Sequence, residues 1–176
     1  MAPVVIVLII ALIYFLWPSY TDLTTQKGAP FVPSEPSVVW RMLQAANLKS
    51  TDILYDLGSG DGRIVIAASY QGAKAYGIEI DPLKVLYSRI MIFLFGLKSR
   101  AKIIRSDFFK VNLKNADVVT LFLLHETNAK LRDKLKSELH SGAKIVSYAF
   151  SLQNWKPEKV IENKDSNFGK IYVYGR

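Results

Sequence analysis

The feature that most constrains the fold of this 176-residue chain is an alternation, between residues 50 and 150, of short apolar runs and longer amphipathic stretches. The runs are DILYDLG, AKAYGIEI, AKIIRSD, DVVTLFLL and AKIVSYAF, and between them lie RIVIAASYQ, LKVLYSRIMIFLFGL and ETNAKLRDKLKSELH. Such runs predict buried strands, and the stretches between them have the length or period of helices. The alternation predicts an α/β fold with a mostly parallel sheet and helices on both faces. The tail, with two strand-like runs around a polar turn, predicts an edge hairpin.

The N-terminal segment is a second strong feature. Residues 1–21 contain no charged side chain, and an apolar run extends from Val4 to Trp17. At about 1.5 Å per residue, 17 to 21 helical residues reach roughly 25 to 31 Å, close to the ~30 Å hydrocarbon core of a bilayer. We expect a single-pass membrane anchor here; a buried core helix and a cleaved signal peptide are the alternatives. Lys27 and Arg41 follow the run and nothing basic precedes it, which predicts that the folded domain lies on the cytoplasmic side.

Residues 22–36 are predicted to be a linker, because four prolines stand between positions 18 and 36. The folded domain is then expected over 37–176. It should open with a helix capped by Ser34 or Ser37, since apolar residues follow at helical spacing.

Charge and composition limit the classes of partner and chemistry. The formal net charge is +8 and the isoelectric point is near 9.6, which favours anionic partners such as nucleic acid or a phospholipid surface. The chain has no cysteine, which excludes thiol catalysis, disulfides and cysteine zinc sites. With only His125 and His140, no metal site is expected.

The stretch YDLGSGDGR places Gly58, Gly60 and Gly62 where the first strand leads into a helix. A ligand can approach bare backbone at such a point. The spacing is G-x-G-x-G, and not the G-x-G-x-x-G of dinucleotide sites. Asp56 and Asp61 would repel a pyrophosphate. A ligand with a cationic amino group, such as S-adenosylmethionine, fits these residues better.

Acidic residues also follow the next two strands. Glu79 is placed to accept hydrogen bonds from a ribose diol, and Asp107 to accept one from an adenine amino group. Ile80 and Phe108 would sandwich the adenine ring. Taken singly, three of the acids fit a helix cap or a turn better: Asp61, Asp81 and Asp107. Together, at the ends of successive strands, the acids favour a cofactor-binding site.

The series YDLGSGDGR, GIEID, SDFF, FLL and SYAFSLQNWKP, with PFVPSEP before it, resembles the seven-stranded class I S-adenosylmethionine-dependent methyltransferases. Within that superfamily it is similar to the small protein-lysine methyltransferases, which comprise an archaeal broad-specificity enzyme and mitochondrial enzymes acting on the adenine nucleotide translocase and the ATP synthase c-subunit. The resemblance implies a Rossmann-like fold and methylation of lysine in a protein substrate, with membrane proteins among the candidates. For a eukaryotic source it implies the mitochondrial inner membrane.

The resemblance also implies where the cofactor S-adenosyl-L-methionine would be held. The residues concerned are Phe31, Pro33, Asp56, Gly58, Ser59, Gly60, Gly62, Glu79, Ile80, Asp107 and Phe108.

The residues after the fourth strand, HETN, are the candidates for catalysis. We expect Glu126, with His125 or Asn128 nearby, to lie at the mouth of the site and to orient or relay a proton from the substrate amine. The alternative is that these residues cap a helix. No D/N-P-P-Y/F/W stretch follows this strand, so methylation of a flipped DNA base is not expected.

Three alternatives stay open on the residues alone. They are an RNA methyltransferase, a small-molecule or lipid methyltransferase, and a non-catalytic cofactor-binding interaction module. The six consecutive apolar residues from Ile90 to Phe95 predict contact with a bilayer, the N-terminal helix or a partner protein.

Overall fold

The computed structural model describes residues 32–162 and 169–176. The larger compact unit of the chain is Ser34–Arg176. The predicted anchor over 1–21 and the predicted linker as far as residue 31 lie outside the described residues. Within the two described ranges, no helix is both long and apolar enough to cross a bilayer.

Helices and strands alternate as the apolar pattern predicts. The helices are α1 (Pro36–Ala45), α2 (Arg63–Tyr70), α3 (Pro82–Leu94) and α4 (His125–Glu138), with a 3-10 turn at Phe108–Lys110. The strands are β1 (Ile53–Leu57), β2 (Lys74–Glu79), β3 (Ala101–Arg105), β4 (Val118–Leu121), β5 (Lys144–Tyr148), β6 (Lys159–Glu162) and β7 (Lys170–Gly175). The fourth apolar run leaves the sheet at Leu121, earlier than its composition predicts, and residues 122–124 have no regular secondary structure.

The strands form one seven-stranded sheet in the order β3-β2-β1-β4-β5-β7-β6. The first five strands are parallel, while β7 runs antiparallel to both β5 and β6. This mixed, Rossmann-like sheet confirms the predicted architecture and the hairpin at one edge. The strand order reverses between β1 and β4, and open α/β sheets bind ligands in the crevice at the carboxyl ends of strands at such a point.

Two apolar layers cover the sheet. One layer joins α1, α2 and α3 to one face through side chains such as Met42, Val65 and Ile103. The other joins α4 to the opposite face through Leu131 and Leu135. Because side chains alternate along a strand, residues at the strand ends are directed to one layer or the other.

The start of α1 differs from the prediction. The expected cap by Ser34 or Ser37 is wrong: residue Glu35 precedes the helix, and no side chain caps it. Instead the Glu35 carbonyl accepts hydrogen bonds from the Val38 and Val39 amides, at 3.0 and 3.1 Å. Pro36 occupies the first turn, where its missing N–H leaves one fewer donor to satisfy.

Candidate active site

The glycine loop between β1 and α2 is held against β2. The amides of Gly58 and Ser59 both donate to the Ile78 carbonyl, at 2.9 and 3.0 Å. Gly58 has a φ of +81°, and a Cβ added there would lie 3.0 Å from Leu123 Cδ2. At Gly77 an added Cβ would lie 2.6 Å from Ser59 Oγ. Both positions therefore need glycine, one for its backbone angle and one for the close approach of loop and strand.

Glu79, at the end of β2, fastens this loop. Its Oε2 accepts from the Gly60 amide at 2.9 Å, and its Oε1 accepts from the amides of Ile80 and Asp81 at 2.8 and 2.9 Å. The residue is only 8% exposed. Oε1 thus accepts two hydrogen bonds and Oε2 accepts one, so a second acceptor position on Oε2 is left for a ligand hydroxyl.

Asp56, the last but one residue of β1, is buried beside a partner from a neighbouring strand. Its Oδ1 accepts from the Thr120 hydroxyl at 2.7 Å, and the two residues are directly paired in the β1–β4 register. Burial raises the pKa of Asp56 to about 7; the nearby charges of Asp61 and Glu79 also raise it, and the Thr120 hydrogen bond opposes them. A cationic group placed beside Asp56 would favour its charged form.

Asp61 and Arg63 link the loop to the start of α1. The Arg63 Nε lies 2.9 Å from Asp61 Oδ1, and the guanidinium also donates to the Ser34 carbonyl. Asp61 therefore acts as a structural residue of the loop, as its turn position alone predicts.

Two further acids cap helices: Asp81 caps α3, and Asp107 caps the 3-10 turn. Asp81 Oδ1 accepts from the amides of Leu83 and Lys84 at the start of α3. Asp107 Oδ1 accepts from the Phe109 amide at 2.9 Å. Ile80, which precedes Asp81, is 67% exposed. The ring centroids of the partly buried Phe108 and of Phe109, which follow Asp107, lie 4.9 Å apart. An exposed isoleucine directly after the buried Glu79 leaves an apolar surface at the edge where an adenine ring would lie.

A second cluster lies where α4 meets the end of β5. Asn128 is fully buried, and its Nδ2 donates to the Phe150 carbonyl at 3.0 Å and to Ser147 Oγ at 3.3 Å. The Ser147 hydroxyl also donates to the Phe150 carbonyl. Ala149, between them, has a φ of +67°, a conformation that is uncommon for residues other than glycine. These bonds hold a strained turn in place.

The three candidate catalytic residues differ in exposure. His125 and Glu126 are exposed at the start of α4, while Asn128 is buried. The His125 ring packs edge-on against Phe150, with 4.8 Å between centroids. Capping of α4 by these residues is not observed in the described chain: Leu124 precedes the helix, and no side chain caps it. Glu126 therefore lies in the first turn, at the same edge of the sheet as the glycine loop.

The comparison with known proteins identifies this arrangement. Residues 56–159 match the family model of the ANTKMT methyltransferase domain, and the match contains the glycine loop, Glu79 and the α4–β5 cluster. The chain belongs to this family. The molecule is thus a methyltransferase that uses S-adenosylmethionine, and the predicted family and cofactor are confirmed.

Individual relatives of the methyltransferase cover most of its length. It is 40% identical over 82% of the chain to a protein-lysine N-methyltransferase of Saccharolobus islandicus, of which it spans 92%. It is 34% identical over 74% of the chain to the ATP synthase c-subunit lysine N-methyltransferase of Xenopus laevis, but spans only 58% of that protein. A crystal structure described as an RNA methyltransferase of Salinibacter ruber, in complex with S-adenosyl-L-homocysteine, is 39% identical with a TM-score of 0.79; the match covers 82% of this chain and 93% of that one.

The residues of the methyltransferase fit its cofactor. The loop backbone lies close to β2, and the buried Ser59 hydroxyl has no hydrogen-bond partner among the described residues, so it is available to a ligand. Asp56 and Glu79 supply buried carboxylates, and Ile80 an exposed apolar surface. Pro33 lies in exposed coil, and Phe31 lies outside the described residues.

Several residues that complete this edge were not predicted from the sequence. Thr120 is the clearest case: a hydroxyl in the otherwise apolar run VVTLF was a signal that it pairs with a buried polar group. Ser147 and Phe150 lie inside the motif SYAFSLQNWKP, but their link to Asn128 had no local signature.

Proposed function

We propose that this methyltransferase transfers a methyl group to the side-chain amine of lysine in a protein substrate. The observation that carries the proposal is the 40% identity to the Saccharolobus islandicus protein-lysine N-methyltransferase, over 92% of that protein. The lysine N-methyltransferase of Xenopus laevis supports the same substrate class.

The charge around the site supports a cationic substrate. The carboxyl-end side of the sheet carries the acids Glu79, Asp107 and Glu126 together with Arg105 at the end of β3, and the basic Arg63 at the start of α2 is paired with Asp61. These three acids outweigh the charge of Arg105 and favour a lysine ammonium over an RNA phosphate.

The cofactor supplies a methyl group already activated on a sulfonium. In the transfer, the bond from methyl carbon to lysine nitrogen forms as the carbon–sulfur bond breaks, and the amine loses a proton. The chain therefore has mainly to align the nitrogen and exclude water. Asp56, Glu79 and the glycine loop would hold the cofactor, with Ile80, Asp107 and Phe108 around its adenine.

The amine must reach the site in its neutral form. With an ordinary lysine pKa near 10.4, deprotonation at pH 7 costs about 4.6 kcal/mol. We assign proton acceptance or relay to Glu126, supported by its exposed position in the first turn of α4 and by the adjacent His125. The buried Asn128 positions the Phe150 turn beside them.

Membrane attachment completes the proposal. Residues 1–21 would anchor the protein, with the catalytic domain on the cytoplasmic side, so that a membrane protein is the substrate. The support is the uncharged run from Val4 to Trp17 and the basic residues Lys27 and Arg41 after it.

The experiment is transfer of labelled methyl from S-adenosylmethionine to a membrane fraction, followed by residue-level analysis of the labelled product. Wild type should label lysine of a discrete protein, and Glu79→Ala should lose the label because the loop and the ribose lose their acceptor. Glu162→Ala, at an exposed position on the edge strand β6, is the matched control and should label normally.

The second candidate is RNA methylation, favoured by the 39% identity to the Salinibacter ruber structure. Adding total RNA to the same assay separates the two. Label in RNA that falls steeply with salt would replace the lysine assignment. Label on lysine that survives ribonuclease treatment would retain it.

A further inference from the structure

The outer side of α3 carries a stripe of apolar side chains. Leu83, Leu86, Ile90 and Phe93 follow one another at intervals of three and four residues, which places them on one side of the helix. We call these four residues the α3 stripe. Leu83, Leu86 and Phe93 are 43%, 50% and 54% exposed. The opposite side of α3, with Val85 and Ile92, is buried in the core.

The exposed apolar surface continues beyond the stripe. Leu94 and Phe95 are each 44% exposed, and the Phe95 ring centroid lies 6.1 Å from that of Tyr70 on α2. Phe95 and Tyr70 border a groove of about 420 Å³, which is also lined by Trp40 of α1 and Met91 of α3. Three helices thus contribute to one apolar face, and contiguous faces of this kind mark interaction sites.

The charge of this region indicates the occupant. Between positions 80 and 102 the sequence holds five basic residues and one acidic residue, Asp81. The Asp81 carboxylate accepts hydrogen bonds from the amides at the start of α3, and Lys84 Nζ lies 3.7 Å from it. The Lys98 ammonium lies 4.1 Å from the centre of the Phe93 ring, at the end of the stripe.

A helix that combines exposed leucine and phenylalanine with flanking lysine and arginine suits the interface of an anionic bilayer. Its apolar side chains enter the boundary of the acyl chains, and its cations stay at the headgroups. A protein partner would meet the same apolar side chains but would not require the excess of basic residues.

We propose that the α3 stripe and the adjoining rims of the groove form a docking surface for an anionic lipid bilayer. This contact is additional to any anchor at the N-terminus. Ile80 lies between Glu79 and the first residue of the stripe, Leu83, so the cofactor-binding edge adjoins one end of the docking surface. Docking on α3 would hold that edge close to the membrane.

The absence of cysteine from the sequence makes a direct test possible. Leu86→Cys and Phe93→Cys in the full chain are each labelled with an environment-sensitive fluorophore. The matched control is Val160→Cys on the edge strand β6, whose side chain is 46% exposed. Unchanged thermal unfolding and cofactor binding verify that each variant is folded.

The probes are vesicles of phosphatidylcholine alone or mixed with phosphatidylserine. With anionic vesicles we expect a blue shift and a several-fold rise in fluorescence at positions 86 and 93, and quenching by lipids that carry a spin label. The control position should not change. High salt or neutral vesicles should reduce the response, because the attraction between the basic face and the headgroups is screened or removed.

Two results would overturn the proposal. One is an unchanged signal at positions 86 and 93 under conditions where the full chain sediments with vesicles, because attachment would then not involve α3. The other is a blue shift without lipid that grows with protein concentration, which would identify a second copy of the chain as the occupant. Methyl transfer is not measured, so either failure leaves the lysine assignment standing.

Discussion

At the scale of single residues, the buried carboxyl of Asp56 has an unusual position. Only 3% of the Asp56 surface is exposed, its carboxylate accepts a hydrogen bond from the Thr120 hydroxyl, and the acids Asp61 and Glu79 lie nearby. Without a cation beside it, its charged form is costly. The fold therefore maintains a site that favours either a proton or a cationic ligand group.

This arrangement predicts a pH-dependent stability. Because the pKa of Asp56 is about 7 in the fold against 3.8 for the unperturbed group, the folded state binds the proton more tightly. The contribution of Asp56 to the free energy of unfolding is thus most favourable below about pH 4 and falls as the pH rises to about 7. The stability of Asp56→Asn relative to wild type should therefore increase by ~4 kcal/mol from pH 4 to pH 8. Urea unfolding at both pH values checks this, and parallel pH profiles for the two proteins would contradict it.

A second prediction concerns Gly58. Gly58→Ala should weaken cofactor binding at least ~10-fold, because a left-handed residue is strained and its Cβ would press on Leu123 at the site. Gly96→Ala has a similar backbone angle, φ +68°, with no atom within 4 Å of the added Cβ. Calorimetric titration with S-adenosyl-L-homocysteine should show the loss for position 58 alone; equal losses in both variants would indicate general destabilisation.

A third prediction concerns Glu126. If this carboxylate accepts or relays the proton of the amine, Glu126→Gln should lower kcat by at least about 10²-fold at pH 7. The deficit should shrink at high pH, where more of the lysine is already neutral. Glu162→Gln controls for loss of a surface charge. An unchanged pH–rate profile for Glu126→Gln would remove this residue from the mechanism.

At the scale of elements, the junction of α4 with β5 is the part of the structure that we propose to lie on the substrate side of the site. Asn128 on α4 and Ser147 on β5 both bond to the Phe150 carbonyl, and the His125 ring rests against Phe150. The strained Ala149 between Ser147 and Phe150 depends on these bonds. The helix thereby determines the position of an aromatic side chain at the end of a strand.

The expected result for Ser147→Ala is a higher KM for the protein substrate with an unchanged Kd for the cofactor, because the glycine loop is not touched. The lost hydrogen bond should also reduce stability by about 1 kcal/mol. Asn128→Ala should raise KM further, since it removes two bonds. Ser137→Ala, an exposed serine on α4, is the control. An equal loss of cofactor affinity would show that the cluster supports the whole site instead.

At the scale of the whole molecule, the cofactor should act as a structural ligand. Glu79 joins β2 to the glycine loop by accepting from the Gly60 amide, and it also accepts from the two amides that follow it, while Ser88 of α3 donates to the Gly60 carbonyl at 3.0 Å. Parts of three elements thus converge on one ligand site, so occupancy should stabilise the sheet and its helices together.

Ligand at 100 times its Kd should add about 2.7 kcal/mol to the free energy of unfolding. For a domain of this size the increase in Tm should be roughly 5–10 °C. Glu79→Gln should lose most of the shift while Glu162→Gln keeps it, as measured by scanning calorimetry with and without S-adenosyl-L-homocysteine. A full shift in Glu79→Gln would show that the carboxylate does not support binding.

The local pattern of apolar residues was sufficient to predict the strands, the three helices between them and the edge hairpin. Periodicity and length are properties of short segments, and burial on a sheet follows from them directly. The glycine loop and the acids at successive strand ends could be recognised for the same reason. The cap of α1 was predicted wrongly, because Pro36 changes which amides need a partner.

The elements, the glycine loop and the family of the chain could thus be read from short stretches of residues. Contacts between residues that are far apart in the sequence could not be predicted in this way, and only the tertiary structure shows them. Asp56 and Thr120 are 64 positions apart, and Asn128 reaches Phe150 across the gap between α4 and β5. Such pairs depend on how the strands and helices are arranged, and the local sequence around either residue does not determine that arrangement. For α3 the sequence predicted an external contact at Ile90 to Phe95, but the exposure of Leu83 and Leu86 depends on which side of the helix the rest of the fold covers.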